Sequence, residues 1–488
     1  MKLGLEHSYA ALPTRFFADV APTPVRDPQL LLYNAPLADF LRLDPGLAEA
    51  AAMTLSGNSL PEDARPLAMV YAGHQFGHFV PQLGDGRAIL LGERRAIDGH
   101  LYDLQLKGAG RTPYSRSGDG RAAIGPMLRE YLISEAMHAL GIPTTRSLAV
   151  VATGEQVFRE AVLPGAVLTR VAASHLRVGT FEYFSAHEGA AAIRLLLDYA
   201  IARHDPDLAA TDNPALAFLQ RVTDRQAQLI AQWLAVGFIH GVMNTDNMAI
   251  SGETIDYGPC AFMDDYDPKT VFSSIDHRGR YAYGNQPAIA QWNLTRLAET
   301  LLPAIDADQG VAIERASAVV AGFHDRFDAQ FRHQIARKLG LASTQDSDTA
   351  LINSLLTAMR HSRVDFTLTF RHLAQAALGA AHEAPLRALF ADSPAFTDWL
   401  ANWRARLQAD AQSPTQRHLA MRAANPAFTP RNHRVEAALN AASDRGDLAP
   451  FRQLLEVLQR PFDDQPAQVQ LMLPPRDDER VLATFCGT

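Results

Sequence analysis

The residues best suited to chemistry lie between His240 and Gly258. His240 begins the run HGVMNTDN, which ends with Asp246 and Asn247 side by side, and Asp256 follows in the tripeptide Asp-Tyr-Gly. Carboxylate and amide oxygens are the ligands that hard divalent cations such as Mg²⁺ prefer. A carboxylate beside such a cation can also accept a proton from a hydroxyl group. The segment therefore predicts a metal site with a candidate proton acceptor next to it.

The spacing is similar to that of a protein-kinase catalytic loop, with one substitution. Kinases use the pattern H-R-D-x-x-x-x-N, in which the Asp is the base and the Asn binds the metal, and a later Asp-Phe-Gly adds a second ligand. Asn247 falls at the expected distance from His240, but Val242 holds the position of the base. The pattern indicates either an inactive kinase or an enzyme that performs different chemistry on ATP.

A glycine pair and a lysine upstream favour a phosphate-binding lobe. Gly84, Gly86 and Arg87 precede one apolar run, and the alternating run over 101–107, predicted as a strand, ends at Lys107. A Gly-x-Gly before a strand is a weak signal alone, because turns use the same residues. Lys107 strengthens it, because kinases carry their phosphate-pairing lysine at the equivalent place.

The segment from 108 to 125 is rich in glycine, with three arginines among hydroxyl residues. Glycines let backbone N–H groups approach an anion, and arginines supply paired donors; a flexible solvated loop is the alternative. A helix is predicted over 126–140 from its apolar stripe. It carries Glu130, which could pair with Lys107 as a helix glutamate does in kinases, and Glu135 as a competing partner.

Two arginines stand where a kinase would hold adenine. The strand ending at Arg170 should lead into the hinge between two lobes, and Arg177 follows shortly after it. Guanidinium groups suit phosphates far better than an adenine ring. Arginines are also common on protein surfaces, so both interpretations stay open on the residues alone.

The predicted elements give an α+β, protein-kinase-like fold of two lobes. Residues 145–159 are predicted as a hairpin turning at Gly154, which brings an antiparallel small lobe to five strands with one helix. The larger lobe is helical, since most of the chain beyond Ile289 has helical periodicity. We expect an N-terminal extension, a small lobe, a large lobe with the catalytic loop, and a helical C-terminal extension with a tail, at 1–80, 81–180, 181–300 and 301–488.

Composition restricts the remaining function classes. The 488 residues are 47% hydrophobic and 20% charged, with a formal net charge of -8. This balance argues against general binding to nucleic acids or membrane surfaces. We find neither an apolar run long enough to span a membrane nor a signal peptide. A chain with only two cysteines fits a reducing compartment, so we expect a cytoplasmic protein. We also expect it to act as a monomer.

Four long blocks resemble the selenoprotein O family in its bacterial branch, and the resemblance runs essentially end to end. The blocks are YAGHQFGHFVPQLGDGRAILLGE, LQLKGAGRTPYSRSGDGRAAIGPMLREYLISEAMHALGIPTTRSL, VLTRVAASHLRVGTFEYF and GFIHGVMNTDNMAI, the last followed by IDYGPCAFMDDYDP. The resemblance implies a kinase-like fold that binds ATP in a flipped orientation with Mg²⁺ or Mn²⁺. It implies transfer of AMP to Ser, Thr or Tyr hydroxyls of protein substrates, with release of pyrophosphate. UMP transfer with Mn²⁺ is a further possibility. A kinase-like phosphotransferase and a non-catalytic ATP-binding scaffold are the alternatives.

The same resemblance implies roles for individual residues. Asp246 matches the family's proton acceptor, and Asn247 and Asp256 match its metal ligands. Residues that match its nucleotide contacts, with Glu130 as the ion-pair partner of the lysine, are Gly84, Gly86, Arg87, Lys107, Asp119, Gly120, Arg170 and Arg177.

One feature departs from the family pattern. In relatives a C-terminal Cys is thought to form a redox-sensitive disulfide with a Cys of the large lobe. Here residues 270–274 contain no Cys, so Cys260 is the sole possible partner of Cys486. Cys260 follows the Asp-Tyr-Gly closely, where buried thiols are usually inert packing. Both possibilities, a redox pair and an inert thiol, stay open.

Overall fold

A β-sheet lobe and a helical lobe make up the chain in the computed structural model, which describes residues 1–391 and 393–485. Cys486, one of the two candidate redox residues, lies outside the described residues. Within them the strands are β1 Leu5–Glu6, β2 Phe17–Asp19, β3 Gln29–Tyr33, β4 Leu67–Met69, β5 Gly73–Gln75, β6 His78–Val80, β7 Ala88–Arg95, β8 Leu101–Lys107, β9 Arg146–Phe158, β10 Val162–Ala172, β11 Phe238–Ile239 and β12 Ala261–Phe262. The α-helices are α1 Ala35–Phe40, α2 Leu47–Leu55, α3 Ile124–Ala139, α4 Val178–His187, α5 Ala190–His204, α6 Pro214–Ala235, α7 Gln286–Ile305, α8 Gln309–Ala321, α9 Phe323–Lys338, α10 Asp348–Ser362, α11 Phe366–Ala376, α12 Ala384–Leu389, α13 Pro394–Gln408, α14 Pro414–Ala424, α15 Asn432–Arg445 and α16 Ala449–Leu458.

The sheet lobe is built on an antiparallel sheet that has eight strands in the described part of the chain. Its order is β2-β4-β7-β8-β10-β9-β3, and β1 pairs with β7. On the central strands, Lys107 lies opposite Leu168, and Arg170 lies opposite Gln105. Residues two apart on a strand share a face, as do directly opposed residues. Lys107 and Arg170 therefore point to the same face of the sheet.

The prediction of five strands is wrong, and one cause lies in β9. Residues 146–158 form a single strand that pairs with β10, and the chain turns only after Phe158. Gly154, which suggested a hairpin, has a φ of 67° within this strand. A Cβ there would press on Asp27, so this glycine permits a close approach of the N-terminal segment.

The other cause is the N-terminal segment, from which β1 to β4 join the same sheet. These strands have two to five residues each. Runs this short carry too few alternations for a period of two to be recognised. Tertiary pairing therefore completes the sheet with segments that show no strand pattern of their own.

Helix α3 packs against β9 and β10, and α15 and α16 pack against α3. The prediction of a helix over 126–140 is confirmed by α3, and the strand predicted over 101–107 by β8. Twelve of the sixteen residues of α3 are buried. The helix that carries Glu130 is thus enclosed by the sheet on one side and by C-terminal helices on the other.

Helix α6 leads the chain into the candidate catalytic loop. It begins with Pro214 after Asn213, whose side chain accepts a hydrogen bond from the Leu216 N–H, a favourable arrangement for a helix start. It ends at Ala235, and Gly237 takes a φ of 75°. The chain then passes through β11, whose pairing with β12 holds together the two ends of the loop region.

None of the helices in the described residues is both long enough and apolar enough to cross a bilayer.

Candidate active site

A cavity of about 520 Å³ is lined by residues of both lobes. The sheet side contributes strand ends and the glycine-rich segment, and the helical side contributes the loop after β11. All twelve residues predicted for the site line this one cavity: Gly84, Gly86, Arg87, Lys107, Asp119, Gly120, Glu130, Arg170, Arg177, Asp246, Asn247 and Asp256.

The carboxylate of Asp256 lies where three cations converge. Its Oδ1 accepts hydrogen bonds from Lys107 Nζ at 2.9 Å and from Arg170 at 2.6 Å, and its Oδ2 accepts one from Arg177 at 2.6 Å. Burial raises the pKa of Asp256, but Lys107, Arg170 and Arg177 outweigh it and hold the pKa well below its usual value. The arrangement concentrates positive charge at one point of the cavity.

Two of these cations are also anchored by Glu130. Lys107 Nζ donates to Glu130 at 2.5 Å, and Arg170 lies 3.3 Å from its other oxygen. The competing candidate, Glu135, pairs instead with Arg146 at 2.7 Å. Glu130 is 2% exposed, so its charge is fixed in place. Buried ion pairs of this kind hold long side chains in one orientation.

Arg177 reaches the site from the start of helix α4, where it is the N-cap residue. One guanidinium N–H donates to the backbone carbonyl of Asp246 at 2.6 Å, and the guanidinium lies 4.7 Å from the ring centroid of Tyr71. Arg177 thus links Asp256 to the backbone of the catalytic loop. Tyr71 precedes β5, in a part of the chain for which no site residue was predicted.

Asp246 differs from Asp256 in its surroundings. Its Oδ2 accepts a 3.4 Å hydrogen bond from Gln75, and its buried Oδ1 has no hydrogen-bond partner among the described residues. Burial raises the pKa of Asp246 to about 6, against the opposing effect of Arg177. The carboxylate is therefore mostly ionised at neutral pH yet basic enough to take up a proton. Val242 lines the cavity as an apolar side chain.

The hairpin of β5 and β6 holds the catalytic loop from outside. The backbone N–H of His74 donates to Thr245 Oγ1 at 2.7 Å. Glu182 of α4 binds both residues, since one oxygen lies 2.5 Å from His74 Nδ1 and the other accepts from Thr245 at 2.5 Å. His74 and His78, which have a metal-ligand spacing in sequence, lie on opposite strands of this hairpin. Within the described residues no group of three or more His, Cys, Asp and Glu could hold a metal.

Gln75 and Tyr71 were missed by sequence reasoning. They line the cavity because the chain around the hairpin folds back on the catalytic loop, where Gln75 contacts Asp246, 171 positions further along the sequence. No spacing or composition links them to Asp246. The one available signal is the block YAGHQFGHF, which has two glycines and two histidines in nine residues.

Asn247 and Asp256 are the residues that could hold a divalent cation. Asn247 donates through its amide N–H to the carbonyl of Val242 at 2.9 Å, which leaves its amide oxygen as the ligand atom. Both oxygens of Asp256 contact cationic side chains. A metal can bind Asp256 only if phosphate oxygens replace the carboxylate as the partner of some of these side chains. Mg²⁺ commonly binds one or two carboxylates together with substrate phosphates. The donor set fits such a cation.

The glycine-rich segment closes the cavity by backbone contacts. A Cβ on Gly84, whose φ is 122°, would overlap the Tyr114 side chain, and a Cβ on Gly120 would overlap the backbone of Gly110. Thr112 donates to the carbonyl of Asp85 at 2.7 Å. Glycine is thus required where these two segments meet. The close approach brings the predicted Gly84 and Gly120 to the same cavity wall.

Asp119 holds the outer part of that wall. It accepts two hydrogen bonds of 3.0 Å from Arg159, and this contact lowers the pKa of its carboxyl. Arg87 also lines the cavity. Cys260 lies nearby as a buried free thiol, and burial raises its pKa to about 11. A protonated thiol is a poor nucleophile, so this environment disfavours thiolate chemistry at Cys260.

The fold and the cavity together define an α+β protein with a sheet lobe and a helical lobe. Its site suits a polyphosphate, because three cations converge beside a carboxylate and amide pair. The sequence model of the family described as protein adenylyltransferase SelO matches residues 1–459. The chain belongs to the SelO family and is a nucleotidyltransferase.

Similar proteins extend over essentially the whole chain. A protein nucleotidyltransferase YdiU of Rhodopseudomonas palustris (strain BisB5) is 59% identical over 485 residues, with 99% of each chain covered. Proteins with the same name from Bradyrhizobium sp. (strain BTAi1 / ATCC BAA-1182) and Rhizobium etli are 59% and 58% identical, and the match covers 99% and 97% of their lengths.

Proposed function

We propose that the protein is a protein adenylyltransferase that transfers AMP from ATP to Ser, Thr or Tyr hydroxyls of protein substrates. The observation that carries this proposal is the convergence of Lys107, Arg170 and Arg177 in a cavity where Val242 replaces the kinase base. The family description and the names of the relatives support nucleotidyl transfer to a protein.

In this proposal the lobes are arranged as in a protein kinase and ATP binds in the flipped orientation. The β- and γ-phosphates then lie against Arg170 and Arg177, and Lys107 contacts the polyphosphate from its strand. Guanidinium groups bind phosphate oxygens through paired donors. The contacts of Asp256 support this orientation. Its carboxylate oxygens accept hydrogen bonds from all three cations, and the anionic oxygens of a phosphate group can accept the same kind of hydrogen bond.

The reaction places the α-phosphorus next to the incoming hydroxyl. The substrate oxygen attacks phosphorus, the bond from the α-phosphorus to the bridging oxygen breaks, and pyrophosphate leaves with the bonding electrons. Asp246 takes the hydroxyl proton, for which a pKa near 6 and an unpartnered Oδ1 are suitable. Lys107, Arg170 and Arg177 stabilise the charge that develops on pyrophosphate.

Asn247 and Asp256 would hold Mg²⁺ or Mn²⁺ with the phosphates. The bound cation would supply positive charge that neutralises the leaving pyrophosphate. Asp256 is suited to this role because its pKa is held low and it stays ionised. The same donor set accepts either cation, so UTP with Mn²⁺ is included as a second donor in the experiments below.

The rival function is phosphoryl transfer by a kinase-like enzyme. It would need a base two residues after His240, and the apolar Val242 occupies that position. Parallel incubations with ATP labelled on the α- or the γ-phosphate separate the two reactions. We expect label on protein from the α position alone. Label from γ alone would establish a kinase, and absence of both labels would leave ATP binding without transfer.

A further inference from the structure

A second cavity of about 290 Å³ lies away from the active site. It is enclosed by the C-terminal ends of α3, α6, α9 and α14, with Phe462 as one wall. It shares no lining residue with the cavity that contains Asp246 and Asp256. Eight of its thirteen lining residues have apolar side chains, and the polar side chains are those of Gln232, Gln334, Arg337 and Lys338; the apolar residues are Ala139, Leu140, Ile142, Ala235, Val236, Ala423, Ala424 and Phe462. Its size is at the lower end of that of small-molecule sites.

Lys338 lines this cavity from the last turn of α9 and is 4% exposed. Its ammonium group contacts aromatic rings, 4.3 Å from the centroid of Phe370 and 5.7 Å from that of Phe366. Within the described residues it makes no ion pair or hydrogen bond. Burial alone lowers its pKa to about 7. An amine buried without a counter-ion is costly, and an anion supplied by a ligand would offset that cost.

The acids on the elements packed around Lys338 are engaged elsewhere. Asp365, at the start of α11, pairs with Arg431 at 2.7 Å, and Asp464 pairs with Arg371 and Arg422 at 2.5 Å each. Glu130 and Glu135 of α3 pair with Lys107 and Arg146, and Asp224 of α6 pairs with Arg326. Asp325 and Asp328 lie in the first two turns of α9, about 15 Å or more along the helix from Lys338. The remaining titratable groups on these elements are arginines, histidines and Tyr131. On α3, burial lowers the pKa of His138, and on α11 burial lowers that of His372. No neighbouring carboxylate therefore competes with a bound anion for Lys338.

The mouth of the cavity carries a second positive charge. Arg337 is exposed and lines the cavity beside Lys338, and Gly141 and Ala423 are the other exposed lining residues. Gln232 adds an amide whose buried oxygen lacks a partner in the described structure. An amide that turns over can donate to a ligand or accept from it.

Helix C-termini carry partial negative charge, which would oppose an anion. In α9 and α14 that charge is largely compensated by protein donors. Asn425 donates to the carbonyl of Lys338 at 2.9 Å, and Trp403 donates to that of Leu339 at 2.9 Å. Arg371 donates to the carbonyls of Arg422 and Asn425. The charges of Arg337 and of protonated Lys338 therefore determine the sign of the electrostatic potential in the cavity.

We propose that this cavity binds a small monocarboxylate with an apolar body, whose carboxylate pairs with Lys338 and Arg337 and whose chain lies on the apolar walls. The dimensions fit an aliphatic acid of roughly four to eight carbons. Binding draws a proton onto Lys338, since the new ion pair favours the charged amine. The ligand would contact α3, which carries Glu130, and α6, which leads into the catalytic loop.

Hexanoate is the probe, with hexan-1-ol and hexylamine as neutral and cationic controls of similar shape. We expect hexanoate to raise the melting temperature with saturation, and both controls to have little effect. Calorimetric titration in two buffers of different ionisation enthalpy should show proton uptake on binding, because burial lowers the pKa of Lys338, and the uptake should be larger at pH 8 than at pH 7.

Lys338→Met keeps the packing and removes the amine, and it should weaken hexanoate binding at least tenfold and abolish the proton uptake. Arg337→Gln should weaken binding without removing the uptake. Absence of hexanoate binding, equal binding of hexan-1-ol, tighter binding of hexylamine, or unchanged binding by Lys338→Met would each overturn the proposal. The last result would assign the hexanoate to another cationic site, such as the active-site cavity.

Discussion

The two carboxylates of the active-site cavity are given opposite properties by their neighbours. Asp256 faces three cations and its pKa is held low, whereas Asp246 is buried with a single weak hydrogen bond and its pKa is raised to about 6. Environments that separate two pKa values in this way assign different roles to chemically identical groups. Asp256 is suited to hold cations throughout the reaction, and Asp246 is suited to exchange a proton.

The role of Asp246 can be separated from ATP binding. Asp246→Asn removes the proton acceptor but keeps the size of the side chain, so we expect nearly unchanged ATP affinity and a transfer rate lowered roughly 10²–10⁴-fold. Binding by fluorescence titration and transfer from labelled ATP measure the two effects. A parallel loss of ATP affinity would show that Asp246 instead braces Asn247 or shares the metal.

Val242→Asp tests whether ATP can bind in the orientation that kinases use rather than in the flipped one. It restores the carboxylate at the kinase base position, which lies far from the γ-phosphate when ATP is flipped, so we expect no efficient γ-phosphate transfer. Robust γ-label on protein from this variant would overturn the proposed pose.

The arginines provide a second residue-level prediction. Arg170→Ala and Arg177→Ala should each weaken ATP binding by roughly 10–100-fold, since a charge-assisted hydrogen bond contributes about 1.5–3 kcal/mol. AMP binding should change much less, because AMP lacks the phosphates that reach these side chains in the flipped pose. Isothermal titration with both nucleotides measures the ratio.

Arg203→Ala is the control for loss of a largely buried, ion-paired arginine. Arg203 pairs with Asp103 at 2.8 Å and does not line the cavity, so its replacement should lower stability without altering the ratio of ATP to AMP affinity. Equal losses for ATP and AMP in Arg170→Ala or Arg177→Ala would place adenine, rather than phosphate, beside the arginines.

Among the elements, the hairpin of β5 and β6 is the clearest example of structure that the sequence pattern does not predict. The alternating run ending at Lys107 predicted β8 because apolar and polar residues follow a period of two, and the stripe containing Glu130 predicted α3 because it follows helical spacing. The hairpin has strands of three residues, too short for either signal. Its position depends on contacts with α4 and the catalytic loop, which only the folded chain brings together.

This hairpin should be sensitive to a single methyl group. A Cβ on Gly73 would overlap the Asp246 side chain, so Gly73→Ala must displace either the hairpin or the carboxylate. Displacement of a catalytic group by about 1 Å can cost roughly 10²-fold in rate. We expect transfer to fall by at least about tenfold with ATP affinity retained, as measured by transfer kinetics and nucleotide titration.

Gly125→Ala, in helix α3, is the control, because its Cβ would lie 3.4 Å from the Ser443 hydroxyl of α15 and would overlap no other atom. That variant should keep full activity and equal or greater stability. Wild-type transfer by Gly73→Ala would show that the hairpin does not position Asp246.

On the scale of the whole molecule, the order of the motifs along the chain predicted which residues meet in the cavity, whereas the predicted elements gave the wrong number of strands. The lysine, the helix glutamate and the two acidic segments are far apart in sequence, yet their side chains meet in one cavity. Periodicity divided the chain into a part rich in strands and a part rich in helices, and both lobes are present. The strand number was wrong because pairing partners of β9 and the N-terminal segments are fixed by tertiary contacts.

Lys338 should make the stability of the whole protein depend on pH. The unfolded chain keeps the lysine proton up to a pKa of about 10.5, but the folded protein keeps it only up to about 7. The unfolded state therefore binds more protons between these values, and the free energy of unfolding rises with pH across this window. Lys338→Met should remove this contribution.

Chemical denaturation of wild type and Lys338→Met at pH 7 and pH 9.5 measures the effect. We expect the variant to be more stable at pH 7 and the difference to shrink at pH 9.5, because each unit of lowered pKa corresponds to about 1.4 kcal/mol. A difference that does not vary with pH would mean that Lys338 is not neutralised by folding.

The central claim is that AMP, not phosphate, moves onto protein hydroxyls, and the mass of the intact protein after incubation with ATP and Mg²⁺ or Mn²⁺ tests it most directly. We predict addition of the mass of one AMP per modified hydroxyl, with UMP added in its place when UTP and Mn²⁺ are supplied. Asp256→Asn should show no addition; Asn suits this position because the φ of residue 256 is 64° and Asn tolerates that backbone conformation. Addition of a phosphoryl mass, no addition by the wild-type protein, or full modification of Asp256→Asn would contradict the account.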